Sequence, residues 1–149
     1  MSVVPTQHGP EPHFTEDLWD TEIRDVLASQ INDLAKYHVA RMLHEHPEMV
    51  GDVAFYAAAL GFHSIDDTRT VLEEMVQCGV LCREDAEDAA DGFYYYLSPD
   101  AENRRKIAKL CNLSCRAHVY RQVLRLLADR SLHRAELKNK NRQHRLECA

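Results

Sequence analysis

Glycine and proline are scarce in this chain, five of each among 149 residues. Three of the prolines (Pro5, Pro10, Pro12) fall within the first 14 residues, which predicts a loose N-terminal arm. So few helix breakers exclude collagen-like and low-complexity classes and favour long helices. No apolar run approaches the ~20 residues of a membrane span, and the polar, Pro-containing start lacks the apolar core of a secretion signal. These absences predict a cytoplasmic protein without membrane contact. The five cysteines are odd in number and come without a secretion signal, so reduced thiols are expected rather than a disulfide framework. A Gly-rich phosphate loop, an HExxH pair and a nucleophile elbow are all missing, so no enzyme activity is expected.

Positive charge is the other shortage. Residues 1–102 hold five Lys and Arg against 21 Asp and Glu, a net of −16, whereas residues 103–149 hold 13 against three, a net of +10. A basic end of this kind meets either nucleic acid or an acidic protein surface, the chain's own acidic part included.

What is present is mostly helical periodicity. Thr15 followed by Glu16 and Asp17 predicts a helix start. Trp19, Ile23, Val26, Leu27, Ile31 and Leu34, then Ala35, Val39, Met42 and Leu43, recur at helical spacing. This is one long helix or two joined near Ser29–Asn32, ending before Pro47. Asp52 to Leu60 is a short helix closed by Gly61, with Val53, Tyr56, Ala57 and Leu60 inward. Ser64 caps the next helix, which ends at Cys78-Gly79 in a left-handed glycine. Val80-Leu81-Cys82 and Phe93–Leu97 flank a polar loop as a hairpin. Ser98-Pro99-Asp100 opens a long C-terminal helix, Ser98 as cap and Pro99 in the first turn. Its seam would be Leu110, Leu113, Ala117, Tyr120, Leu124 and Leu127. Past Leu137 the basic run is expected to fray.

Residues 35–46, 53–61, Thr70-Val71-Leu72 through Gly79-Val80-Leu81, and Phe93–Leu97 together resemble the winged helix-turn-helix transcriptional regulators of the broad ArsR, PadR and MarR type. The resemblance covers about 65 residues. It implies a mainly α fold: a winged helix-turn-helix with a small two-stranded wing, flanked by N-terminal and long C-terminal dimerisation helices. The boundaries would be an arm at 1–14, an N-terminal helix at 15–33, the winged-helix domain at 34–98, a long helix at 99–137 and a basic tail at 138–149. The family pattern further implies a homodimer that reads a palindromic operator in duplex DNA through paired recognition helices.

With Leu72, Met75 and Val76 inward, the reading helix turns out Asp66, Arg69, Thr70, Glu73, Glu74 and Gln77. Arg69, Thr70 and Gln77 are the candidate base readers. Arg104, Arg105, Lys106 and Lys109, with further arginines to Arg134, are the candidate phosphate contacts. The four acids on the reading helix and the five in the wing loop Glu84–Gly92 (EDAEDAADG) oppose DNA phosphate. They leave open an alternative, an acidic winged-helix module for a protein partner that does not bind DNA directly. Cys78 and Cys82, with Cys111, Cys115 and His118 at i, i+4 and i+7 of one helix, form a candidate set for zinc or an iron–sulfur cluster, and thereby a metal or redox sensor. The competing reading is structural cysteines, because free cysteine is commonly buried. His38, His44 and His46 are a weaker second cluster.

Overall fold

Four of the helices begin at an aspartate. In the computed structural model, which describes residues 20–61 and 64–148, Asp20, Asp33, Asp52 and Asp100 each accept a hydrogen bond from the backbone N–H three residues on. Such caps satisfy one of the amides that a helix start leaves without an internal partner. Thr15, Trp19 and the turn residues Phe62 and His63 lie outside the described residues.

Helix α1 (Thr21–Asp25) passes into a π-helical turn, Val26–Gln30, and breaks before α2 (Leu34–Glu45). Of the two arrangements the sequence allows, two helices joined near Ser29–Asn32 is the one observed. The apolar face of the first part (Ile23, Val26, Leu27, Ile31) is buried within the chain. Thr21–Asp25 packs against the helix that follows the sheet.

Three strands form one antiparallel sheet, ordered β1-β3-β2 (β1 Val50–Gly51, β2 Leu81–Asp85, β3 Phe93–Leu97). Val50 faces Tyr96 and Leu81 faces Leu97. The sequence reading has two strands; β1 escapes it because two residues show no alternation and are held by pairing with a strand 45 residues away in sequence. Between β1 and β2 lie α3 (Val53–Leu60) and α4 (Ile65–Gln77), joined at Gly61 with φ +72°. The Ser64 cap is as expected: its Oγ accepts from the Asp67 N–H at 3.1 Å. At the other end of α4, Val80 N–H reaches Met75 O (2.9 Å) and Gly79 N–H reaches Val76 O (3.1 Å). That pair of bonds needs the left-handed φ of +85° that Gly79 supplies.

The C-terminal part departs from the expected single helix. Helix α5 (Ala101–Leu113) stops, and α6 (Ala117–Cys148) starts after a turn at Ser114–Arg116. No glycine or proline marks this break. Buried Ser114 makes it: its Oγ accepts from Tyr37 OH (2.8 Å) and donates back to Leu110 O (3.0 Å). The buried stripe of α6 is consequently Val119, Val123 and Leu127, while Leu113, Tyr120 and Leu124 are only half-buried and Ala117 is exposed. The cap of α5 is Asp100, not Ser98, and Pro99 precedes it. The run expected to fray beyond Leu137 continues the helix to Cys148. The core, from Tyr37, Leu43, Tyr56, Leu72, Met75, Tyr95, Ile107 and Leu110 to the α6 stripe, is continuous. The molecule is mainly helical with a small antiparallel sheet. Among the described residues no helix is long and apolar enough to cross a membrane.

Candidate functional site

Helix α4 buries Thr68, Leu72 and Met75, which fixes what it can present outward. Its only basic residue, Arg69, is not presented. The guanidinium donates from Nε and Nη2 to both carboxylate oxygens of Asp91 in the wing loop, the Nη2 bond measuring 3.0 Å, and from Nη1 to Asp66 at 2.7 Å. These carboxylates raise the Arg69 pKa, and the guanidinium holds Asp91 below the ordinary carboxylate range. Thr70 Oγ1 donates to its own helix at Asp66 O (3.0 Å). Gln77 is exposed at the far end. Of the three expected base readers, Arg69 is held in ion pairs, whereas Thr70 and Gln77 are exposed.

Two acids expected to point at solvent instead tie α4 to its neighbours. Glu73 accepts from Arg83 Nη1 of β2 (2.6 Å) and from Tyr95 OH of β3 (2.5 Å). Arg83 is also stacked over the Phe93 ring, 4.4 Å from its centroid. Glu74 pairs with the buried Lys36 of α2 at 2.7 Å. The β2–β3 loop is folded back against the start of α3. Asp52 accepts from Ala90 N–H (2.9 Å) with one oxygen while capping α3 with the other, and these backbone bonds lower its pKa. Ala89 is buried. Glu84, Asp85, Glu87 and Asp88 remain exposed, so the combined surface of α4 and the β2–β3 hairpin tip is negative.

The expected phosphate contacts are placed differently too. Arg105 makes a two-pronged pair with Glu22 and a second pair with Glu102, and Lys109 pairs with Asp20 (2.6 Å) and Glu22 (3.1 Å). Arg105 and Lys109 hold the Glu22 pKa down to about 2. Arg104 Nε donates to Ser98 O at 3.0 Å. Lys106 lines an open cleft of about 570 Å³ with Glu22, Asp25, Gln30, Cys78 and Glu102. Much of the positive charge of α5 is thus spent on the start of the same chain, one of the two destinations the charge asymmetry suggests.

The metal set is not assembled. Because the helix breaks at Ser114, the i, i+4, i+7 stripe does not exist: Cys111 is buried on α5, Cys115 sits exposed in the turn, and His118 is exposed on α6. Burial pushes the Cys111 thiol up to about 12. Cys78 is half-buried, its Sγ 3.6 Å from Met75 O and 3.8 Å from Gln30 O, and its pKa is raised by burial. Cys82 lies opposite Tyr96 on β2. Among the described residues, no three His, Cys, Asp or Glu side chains are placed to hold a metal ion. His38 belongs to no cluster; burial, then the Arg41 charge, lowers its pKa.

No family model, curated protein or solved structure matches the chain. The residues that sequence reasoning missed are Asp91, Arg83 and Tyr95. Their partners on α4 are 22, 10 and 22 residues away, and no local pattern signals such pairs.

Proposed function

We propose that residues 34–97 are a winged-helix module whose α4 face and wing engage a protein partner rather than DNA bases. The winged-helix assignment is supported by the element order α2-β1-α3-α4-β2-loop-β3 with sheet order β1-β3-β2, the two short helices meeting at a glycine turn. The observation that carries the protein-partner reading is the closed Arg69–Asp91–Asp66 cluster. The one cation on the reading helix is neutralised twice over, beside a wing that has five acids and no base. Phosphate neutralisation supplies much of the affinity of DNA-binding proteins, and this face offers none. The partner's complementary surface is basic. The test is retention of partners on the immobilised full chain with and without nuclease, paired with duplex binding at low salt. Nuclease-resistant capture that Glu84→Lys and Glu87→Lys weaken is expected. Tight duplex binding that is lost on Gln77→Ala would overturn the reading.

A second reading, a homodimeric DNA-binding regulator, is favoured by one feature. Arg116, Arg121 and Arg125 are exposed and form no ion pair among the described residues. It predicts duplex affinity falling steeply with salt and dependent on those arginines rather than on α4.

A further inference from the structure

Helix α6 outruns the body it packs on. Its buried positions recur every four residues at Val119, Val123 and Leu127, and the next in the series, Ser131, is half-buried, its Oγ accepting from Leu34 N–H at 3.4 Å. Past Ser131 every described side chain is exposed, Leu132 at 64% and Leu137 at 47%. The helix nonetheless continues to Cys148, about 25 Å further at 1.5 Å per residue. As far as Leu137 it still lines clefts with the body, His133 and Leu137 beside Ala28 and Asn32, but buries no described side chain there. A helical segment so little covered gains little from propensity alone, so this length calls for a partner surface.

Charge says which surface. Residues 132–149 hold five Lys and Arg against two Asp and Glu, so two such segments laid side by side would repel. The unmatched opposite charge is on the same chain. Asp67, Glu84, Asp85 and Glu87 are exposed and form no ion pair among the described residues. The overhang leaves the body beside this acidic face: Asp67 and Thr70 of α4 share a cleft of about 280 Å³ with Ser131 and Ala135 of α6. Helix α6 is unbroken from Ala117 to Cys148, so it does not turn back onto its own wing.

We propose that the overhang of α6 in one copy docks on the acidic wing and α4 face of a second copy, and reciprocally, in a two-fold dimer held by charge. The arrangement places a basic helix over each acidic face. It differs from a dimer of parallel or antiparallel α6 helices, which the like charges disfavour. It does not depend on the protein-partner reading above, since self-docking is measured without any other protein.

The experiment is sedimentation of the full chain at low and high salt, with charge reversals on each surface. Arg134→Glu, Lys138→Glu and Lys140→Glu reverse the overhang; Glu84→Lys, Asp85→Lys and Glu87→Lys reverse the wing; a third variant carries all six. Helix content by circular dichroism checks that each stays folded. Dimer at about 20 mM salt and monomer at about 500 mM, where screening shortens to a few ångströms, is expected. Each triple reversal should weaken the dimer by roughly tenfold or more at low salt, and the sextuple variant should regain it, because the swapped charges again match. A monomer at low salt, a dimer indifferent to salt and to both reversals, association seen only with added nucleic acid, or two weakened triples without rescue would each overturn the proposal.

Discussion

Glu73 separates the two uses of α4 most directly. Read from sequence it is an outward acid that would face DNA; in the fold it is the acceptor that joins α4 to β2 and β3. Tyr95 is completely buried, and its hydroxyl donates to Glu73 Oε2 at 2.5 Å. Burial first, and then the Glu73 carboxylate, raise the Tyr95 pKa, so the phenol stays a donor across the working range. A hydrogen bond to a charged acceptor contributes about 1.5–3 kcal/mol net. The Glu73 side chain is 29% exposed, which favours the lower end. The Arg83 contact reaches water at both ends and adds little. Glu73→Ala should therefore cost about 1.5–2 kcal/mol, or roughly 3–8 °C in a chain of this size. Tyr95→Phe should cost about 1–2 kcal/mol, and the double variant should cost less than the sum by about 1 kcal/mol. Urea unfolding of the four proteins measures the cycle, with Glu84→Ala as an exposed control expected within about 0.5 kcal/mol. A coupling near zero would refute the placement of Glu73 and restore it to the solvent-facing set.

Other tests address the parts of the fold that carry the argument. Gly79→Ala should cost about 1–2 kcal/mol, purely from the left-handed backbone, since a Cβ there would meet no atom within 4 Å; an unchanged midpoint would contradict the turn at the end of α4. Site-resolved alkylation of the native protein should modify Cys115 quickly and Cys111 only on unfolding, because the first is exposed and the second is buried with its thiol raised to about 12. Equal rates would mean that the α5–α6 turn is misplaced. The depressed Glu22 carboxyl releases its proton more readily in the folded chain than in the unfolded one. Its contribution is present above the unfolded carboxylate range, near pH 4, and is lost as pH falls towards about 2. Glu22→Gln should flatten that acid limb of the unfolding curve, and an unaltered limb would argue against the Arg105 and Lys109 pairs. Val123→Asp should prevent folding whereas Arg121→Glu is tolerated; the reverse would place the α6 stripe elsewhere.

How much of this is legible in the sequence depends on the reach of each cause. Ser64, Gly61 and Gly79 act within a turn of themselves, and all three positions follow from sequence. The two-residue strand Val50–Gly51 acts only through Tyr95 and Tyr96. The end of α5 is set by Tyr37, which lies 77 residues before Ser114 and has no local trace. The same limit governs the face of α4. Spacing identifies which residues point outward, and Arg69, Glu73 and Glu74 do so. Whether an outward charge remains free depends on Asp91, Arg83, Tyr95 and Lys36, and that knowledge is tertiary.

The short turn at Ser114 has a mechanical meaning. It is a pivot at one end of a stiff rod of about 48 Å, the 32 residues of α6 at 1.5 Å each. The turn is tied to α2 by the Tyr37–Ser114 hydrogen bond, α2 is tied to α4 by Lys36 and Glu74, and the buried stripe Val119, Val123 and Leu127 fixes the near part of the rod to the body. A tilt of roughly 10° at this point would sweep the far end of the rod through about 8 Å.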